Sequence, residues 1–187
     1  MRITGGAARG RPIRAPRGSR VRPTADKVRG AIFNILAARG EIEGRRVLDL
    51  FCGSGALGLE ALSRGASRAI FVDKSFESCR IARQNVERNG FAAVAEVRRL
   101  ALPGGLRHVE DAAPFDGVFV DPPYRRGLSQ AMMDVLGGGG FVLGGGWAVV
   151  EHGADEQLEE AYGVLHRVDS RRYGSTAISL YRNGGKP

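Results

Sequence analysis

Along this chain, short apolar runs alternate with longer stretches whose apolar residues recur at helical spacing. Val47, Leu48 and Leu50 enclose a single acid, Asp49, in a run that reads as a buried parallel strand. The run breaks at Gly53-Ser54-Gly55, after which Leu57, Leu59, Ala61 and Leu62 mark a helix stopped by Gly65. The rhythm continues with strands over residues 69–72, 94–97, 115–120 and 147–150. Ser75 caps a helix running to Asn89-Gly90, and further helices are predicted over 128–136 and 155–162. The glycine-rich tract 137–146 reads as a loop with a short apolar insert, Phe141-Val142-Leu143. Strands at 165–170 and 175–181 close the pattern and predict an antiparallel edge on a mostly parallel sheet.

Ahead of this alternation, Arg2-Ile3-Thr4, Gly5-Gly6 and a segment to Ile13 predict a small hairpin with a Gly-Gly turn. Pro12, Pro16 and Gly18 make the next segment a loop. Pro23-Thr24 opens a helix, with Thr24 as N-cap, Asp26 in the first turn, Val28, Ile32, Ile35 and Leu36 on one face, and Gly40 at the end. Arg22, Lys27 and Arg29 cluster near its start, either as a solvated face or as a contact for RNA or a cofactor.

Strand, glycine turn and helix present backbone N–H groups to a ligand at the carboxyl edge of an open α/β sheet. Gly53 and Gly55 allow close approach, having no Cβ. With Gly58 they satisfy G-x-G-x-x-G, and Asp73 follows a second strand, but that dinucleotide pattern is weak alone. Two features point away from NAD. One is Asp49, four residues before the first glycine; the other is Asp121-Pro122-Pro123-Tyr124 after a later strand.

In that tetrapeptide the prolines remove backbone donors and stiffen the turn, leaving carbonyls to accept. An exocyclic amine on a base is a poor nucleophile because its lone pair is delocalised into the ring. Two acceptors, the Asp121 carboxylate and the Pro122 carbonyl, would grip its N–H bonds and favour a tetrahedral nitrogen. A base entering such a pocket must leave its stack, and Tyr124 would hold it by stacking.

Charge sharpens the substrate. The chain of 187 residues carries a net charge of +8, and its length suits one well-buried α/β domain. Before Asp26 stand Arg2, Arg9, Arg11, Arg14, Arg17, Arg20 and Arg22 with no acid among them. Without those residues, the remaining bases nearly balance the 20 acids. A detached basic arm on a neutral body is the footprint of a phosphate-backbone binder, and arginine suits phosphate forks and base stacking. Cys52 and Cys79 read as free thiols, and His108, His152 and His166 are too scattered for a zinc set. The absence of a membrane-length apolar run and of a leader pattern makes a cytoplasmic protein the expectation.

Asp49-x-Phe51-x-Gly53-x-Gly55 followed by Asp121-Pro122-Pro123-Tyr124 resembles the class I, S-adenosylmethionine-dependent amino-group methyltransferases. Met1-Arg2-Ile3-Thr4-Gly5-Gly6, with Arg22-Pro23-Thr24, Arg29 and Phe33, is similar more narrowly to the RsmD family of bacterial 16S rRNA guanine-N2 methyltransferases. The resemblance spans essentially the whole chain. It implies a Rossmann-like α/β fold with a seven-stranded sheet of order 3-2-1-4-5-7-6. Residues 1–23 would form the basic hairpin arm and 24–187 the methyltransferase domain.

It implies S-adenosylmethionine as methyl donor, S-adenosylhomocysteine as product, and 16S rRNA in an assembled or assembling 30S subunit as substrate, away from membranes; a monomer is the default expectation. The glycines and Asp49 would cradle the methionine end of the cofactor, with Phe51 and Ser54 in the same turn and Asp121 also in contact. Asp73 would take the ribose hydroxyls. Asp121 and Pro122 would grip guanine N2, with Tyr124 stacked on the base. The third strand departs from the family: Val97-Arg98-Arg99-Leu100-Ala101 stands where an acid or amide is often found near the adenine, so Leu100 and backbone groups would serve there.

A DNA adenine-N6 methyltransferase is disfavoured by the lack of a sizeable target-recognition domain. An NAD oxidoreductase is disfavoured by Asp49, and a C5-cytosine mechanism by the lack of a Pro-Cys pair. A non-catalytic RNA-binding assembly factor on the same fold is opposed by the intact tetrapeptide.

Overall fold

The computed structural model describes residues 1–15 and 23–185. The expectations for Pro16, Arg17, Gly18, Arg20, Arg22 and the Thr24 side chain fall outside the described residues. The chain forms two compact units, Met1–Leu100 and Ala101–Pro187.

In the first unit, α1 (Pro23–Ala38), β1 (Arg46–Leu50), α2 (Ala56–Ser63), β2 (Arg68–Asp73), α3 (Phe76–Arg88) and β3 (Ala95–Arg99) follow in order. The strands are parallel in the order β3-β2-β1, pairing Asp49 with Phe71 and Asp73 with Arg99. Val47, Leu48, Asp49 and Leu50 are all buried, which is why β1 lacks the alternation of a half-exposed strand. The Ser75 side chain accepts from Ser78 N at 3.2 Å and caps α3, as the sequence predicts; Asn89 closes the helix and Gly90 follows with φ +81°.

Val28, Ile32, Phe33 and Leu36 are buried on α1, and so is Arg29. Arg29 is therefore neither on a solvated face nor available to RNA. Its guanidinium lies 3.0 Å from Asp26 and 3.5 Å from the fully buried Glu60, and donates to Arg2 O at 2.7 Å.

The N-terminal hairpin forms, with an antiparallel bridge between Arg2 and Pro12; Ile3 N donates to Arg11 O and Ile13 N to Met1 O, each at 3.0 Å. Its glycines do not make the tight reversal. Ala7 N donates to Ser63 O at 2.7 Å, and Ser63 Oγ donates to Gly5 O at 2.6 Å, so the connection rests on the end of α2. A Cβ on Gly6, whose φ is +75°, would stand 1.8 Å from Ser63 O. Ile3, Ala8 and Ile13 are buried, and Thr4 donates to Glu60 through N at 2.8 Å and Oγ1 at 2.6 Å. Residues 1–15 are thus docked rather than detached.

The second unit contains β4 (Phe115–Val120), α4 (Leu128–Gly137), β5 (Val142–Gly153), β6 (Ala161–Tyr162), β7 (Leu165–Tyr173) and β8 (Thr176–Asn183). Its order is β4-β5-β8-β7-β6, with β4 and β5 parallel and the later pairs antiparallel. With β6 set aside, this is the expected 4-5-7-6 order; β6 raises the strand count to eight against the seven expected.

Two local readings change. Val142 and Leu143 of the apolar insert open β5, directly after Phe141; the strand carries Gly144-Gly145-Gly146 within it, and the pairing slips between Phe115↔Val142 and Gly117↔Trp147. The indole of Trp147 fills the place of a side chain at Gly117, where a Cβ would lie 2.1 Å from the ring. Residues 155–162 are not a helix. Tertiary partners outcompete local helical preference there: Glu159 N donates to the Tyr162 hydroxyl at 3.0 Å, Tyr162 pairs with Leu165, and the Tyr162 ring meets Tyr181 edge-on at 5.7 Å. Among the described residues no helix is long and apolar enough to cross a membrane.

Candidate active site

In the first unit the polypeptide leaves β1 through Phe51, a non-glycine residue at φ +59°, then Gly53 and Gly55 at φ +54° and +79°. Left-handed backbone at a phenylalanine costs of order 1–3 kcal/mol and persists only where surrounding structure imposes it. Cys52 N donates to Val72 O, and Gly55 N to Cys52 O, closing the turn against β2. The half-buried Asp73 fastens it: Oδ2 accepts from Gly53 N at 2.9 Å and Oδ1 from Ser75 N at 2.8 Å. Leu100 N donates to the Asp73 carbonyl at 3.0 Å. Asp49, Phe51, Gly53, Ser54, Gly55, Asp73 and Leu100 are therefore gathered at and just beyond the carboxyl ends of β1, β2 and β3.

Asp49 is 1% exposed, and its Oδ2 accepts from Gly58 N at 2.9 Å. Among the described residues its buried Oδ1 has no hydrogen-bond partner. Burial pushes the carboxyl up to about 7; the Gly58 N–H opposes this and the nearby charge of Asp73 adds to it. Gly58, third of the sequence glycines, is a packing position: a Cβ there would stand 2.3 Å from the Phe71 ring. Burial also pushes the Cys52 thiol well up, so it is no thiolate nucleophile. Above Gly53 the space is open, with only Phe51 O at 3.9 Å from a would-be Cβ.

In the second unit β4 runs out into Asp121-Pro122-Pro123-Tyr124. Pro122 is buried, Pro123 exposed, and Asp121 and Tyr124 half-buried. The Tyr124 hydroxyl donates to Glu151 Oε1 at 2.6 Å, near the end of β5, and lies 3.2 Å from Thr176 Oγ1 at the start of β8. Burial, reinforced by the charge of Glu151, drives the phenol far above its ordinary range, so it stays a donor. Beyond it Arg125 sits at φ +62°; its N–H donates to Glu156 Oε1 at 2.8 Å, while Ser129 Oγ donates to Glu156 Oε2 at 2.9 Å. Glu156 thereby clamps both ends of the turn into α4.

Sequence reasoning missed Glu151, Thr176 and Glu156. Glu151 was the one legible in principle, as an acid directly following a predicted strand. Arg2, Arg9, Arg11 and Arg14 are exposed. Arg2 and Arg11 each donate to a carbonyl, of Gly10 at 2.8 Å and of Asn89 at 2.9 Å, and among the described residues neither pairs with an acid.

An α/β sheet with a glycine turn after its first strand, an acid ending the second and Asp-Pro-Pro-Tyr after the fourth defines the class I methyltransferase fold. The chain belongs to the RsmD family, described as "Conserved hypothetical protein 95", whose sequence model matches residues 1–182. It is 34% identical over 186 residues to "Putative rRNA methyltransferase YlbH" of Bacillus subtilis, covering 99% of this chain and 100% of that protein. It is 35% identical over 185 residues to "Ribosomal RNA small subunit methyltransferase D" of Escherichia coli K12, covering 97% and 89%. The solved structure of "Putative methyltransferase yhhF" from Escherichia coli superposes with a TM-score of 0.85 at 33% identity, covering 100% of this chain and 99% of that one.

Proposed function

We propose that this protein methylates the exocyclic N2 of one guanine in 16S rRNA, using S-adenosylmethionine and releasing S-adenosylhomocysteine. It would act as a monomer on an assembled or assembling 30S subunit in the bacterial cytoplasm. Methylation of ribosomal RNA is supported by the family and by the names of its relatives. The amino-group target rests above all on Asp121-Pro122-Pro123-Tyr124, where an acid and a proline carbonyl precede a tyrosine whose hydroxyl is tied to Glu151.

The first unit's residues fit that cofactor. Gly53 has an open face, Asp73 Oδ2 and Oδ1 accept from Gly53 N and Ser75 N and each has a further lone pair for a ribose hydroxyl, and Asp49 holds a buried oxygen without a partner among the described residues. Asp49, Phe51, Gly53, Ser54 and Gly55 would hold the methionine end, Asp73 the ribose, and Leu100 the adenine side. When bound, S-adenosylmethionine supplies an electrophilic methyl carbon on a sulfonium.

Asp121 and the Pro122 carbonyl would accept the two N2–H bonds and favour a tetrahedral nitrogen with its lone pair free to act as nucleophile, while Tyr124 would hold the extruded base by stacking. Asp121 stabilises the positive charge developing on nitrogen and conducts the released proton to solvent. No covalent enzyme intermediate is required, consistent with a protonated Cys52. Arg2, Arg9, Arg11 and Arg14, with Arg17, Arg20 and Arg22 beyond them in sequence, would neutralise rRNA phosphates.

Asp121→Ala tests the assignment. Methyl transfer should vanish while S-adenosylhomocysteine still binds with an affinity close to that of the unaltered protein; retained turnover would overturn it.

A further inference from the structure

Asn85 lies on α3, completely buried, and its carboxamide makes three hydrogen bonds to main chain. Oδ1 accepts from Arg14 N at 3.0 Å, and Nδ2 donates to Arg14 O at 2.8 Å, so the side chain pairs with Arg14 as a neighbouring strand would. The remaining Nδ2 hydrogen goes to the carbonyl of Ser54 at 2.9 Å. Ser54 is the middle residue of the Gly53-Ser54-Gly55 turn, and Arg14 opens the arginine-rich stretch that continues through Arg22 in sequence. One turn further along α3, Asn89 repeats part of the grip: its Nδ2 reaches Pro12 O at 3.4 Å, and its carbonyl accepts from Arg11.

We propose that Asn85 is a positioning residue that couples RNA binding at the arginine arm to cofactor binding at the glycine turn. The inference rests on the methyltransferase reading above, which assigns those two ligands. The physical basis is that both segments are held by one amide whose donors are both in use. Engaging RNA phosphates fixes the main chain at Arg14, which fixes the Asn85 carboxamide and with it the Ser54 carbonyl. The turn whose N–H groups must meet the cofactor is then already ordered, so the second ligand pays less to bind. A solvated arm with no such tie could raise RNA affinity but could not transmit it.

The test is a linkage measurement on the full chain. The dissociation constant of S-adenosylhomocysteine is measured by calorimetry with and without saturating unmodified 16S rRNA, naked and in 30S subunits. Reciprocity requires the same factor when rRNA affinity is measured with and without S-adenosylhomocysteine. The unaltered protein should show coupling of about fivefold or more, within the usual range for linked sites. Asn85→Ala, confirmed folded by circular dichroism, should bring the factor close to one. Arg14→Ala, which removes a guanidinium but keeps the main-chain grip, should weaken rRNA binding and leave the factor unchanged.

A coupling factor of one in the unaltered protein, or an undiminished factor in folded Asn85→Ala, overturns the proposal. Should Asn85→Ala not fold, the unaltered protein's factor decides alone. If the unaltered protein binds neither S-adenosylhomocysteine nor rRNA, the methyltransferase reading falls, and this proposal with it.

Discussion

Tyr124 donates its phenol proton to Glu151 across 2.6 Å, joining the loop after β4 to the far part of β5. The bond fixes the aromatic side chain that the proposed mechanism uses as a stacking platform, and so separates two roles that one substitution would blur. Tyr124→Phe keeps the ring and loses the tie; it should cost about 1.5–3 kcal/mol of stability, the range for a hydrogen bond to a charged acceptor, with methyl transfer retained. Tyr124→Ala loses the stacking surface, worth about 1–3 kcal/mol per base, and should raise the KM for rRNA by about 5–150-fold. Melting curves and steady-state kinetics on the two variants separate the tie from the platform.

Asp49 gives the protein a pH signature. Its carboxyl is raised in the fold from an ordinary 3.8 to about 7, so between those values the native state holds a proton that the unfolded chain has released. Unfolding free energy should therefore fall as pH rises through that window, by up to about 1.4 kcal/mol per pH unit from this group, and level off above it. Asp49→Asn should remove that component of the slope. A cationic ligand beside Asp49 favours its ionised form, so S-adenosylmethionine affinity should increase from pH 6 to 8 in the unaltered protein and stay flat in Asp49→Asn. Urea titrations and calorimetry across pH check both.

The docking of the hairpin depends on Glu60. This fully buried carboxylate accepts from Thr4 through N and Oγ1 and from Arg64 Nε at 2.8 Å, and faces Arg29 at 3.5 Å. Glu60→Ala takes one of two carboxylates from buried Arg29, leaving it Asp26, and removes the acceptor of Thr4 and Arg64; it should cost about 3–5 kcal/mol, as breaking a buried pair does. Hydrogen exchange should quicken at the hairpin amides of Ile3, Gly10 and Ile13, which bond within residues 1–13.

Gly58→Ala tests the third glycine as a packing position. The added methyl meets Phe71 at 2.3 Å and should cost about 1–3 kcal/mol through overpacking. Because Gly58 N holds Asp49, S-adenosylhomocysteine affinity should fall as well; an unchanged melting temperature would show that α2 and β2 separate without penalty.

What the sequence makes legible follows from how local each signal is. Strand β1, the glycine turn and the Ser75 cap are specified by neighbouring residues, and the structure reproduces them. Residues 155–162 carry a helical pattern, yet Tyr162 and Glu156 find partners at Tyr181, Leu165, Arg125 and Ser129, which no local reading contains. Arg29 looks like a surface cation until Glu60, distant in sequence, is seen buried against it. The glycine tract concealed the start of β5 because strand propensity is low at glycine, while pairing with β4 supplies what propensity lacks. Asp49, Asp73 and the tetrapeptide were readable because each follows or sits in a strand with a strong apolar signature. Of the groups that brace them, Glu151 has a local signal at the end of a predicted strand, whereas Thr176, Glu156 and Asn85 become visible only in the fold.

The central claim, methyl transfer to guanine N2 in 16S rRNA, is tested most directly by identifying the product. The protein is incubated with labelled S-adenosylmethionine and, in parallel, unmodified 30S subunits, naked 16S rRNA and duplex DNA, and each nucleic acid is digested to nucleosides. Labelled N2-methylguanosine from 16S rRNA, free or within subunits, and no label in DNA is the predicted result. Label in methyladenine from DNA, or none in any substrate while the cofactor binds, would contradict it.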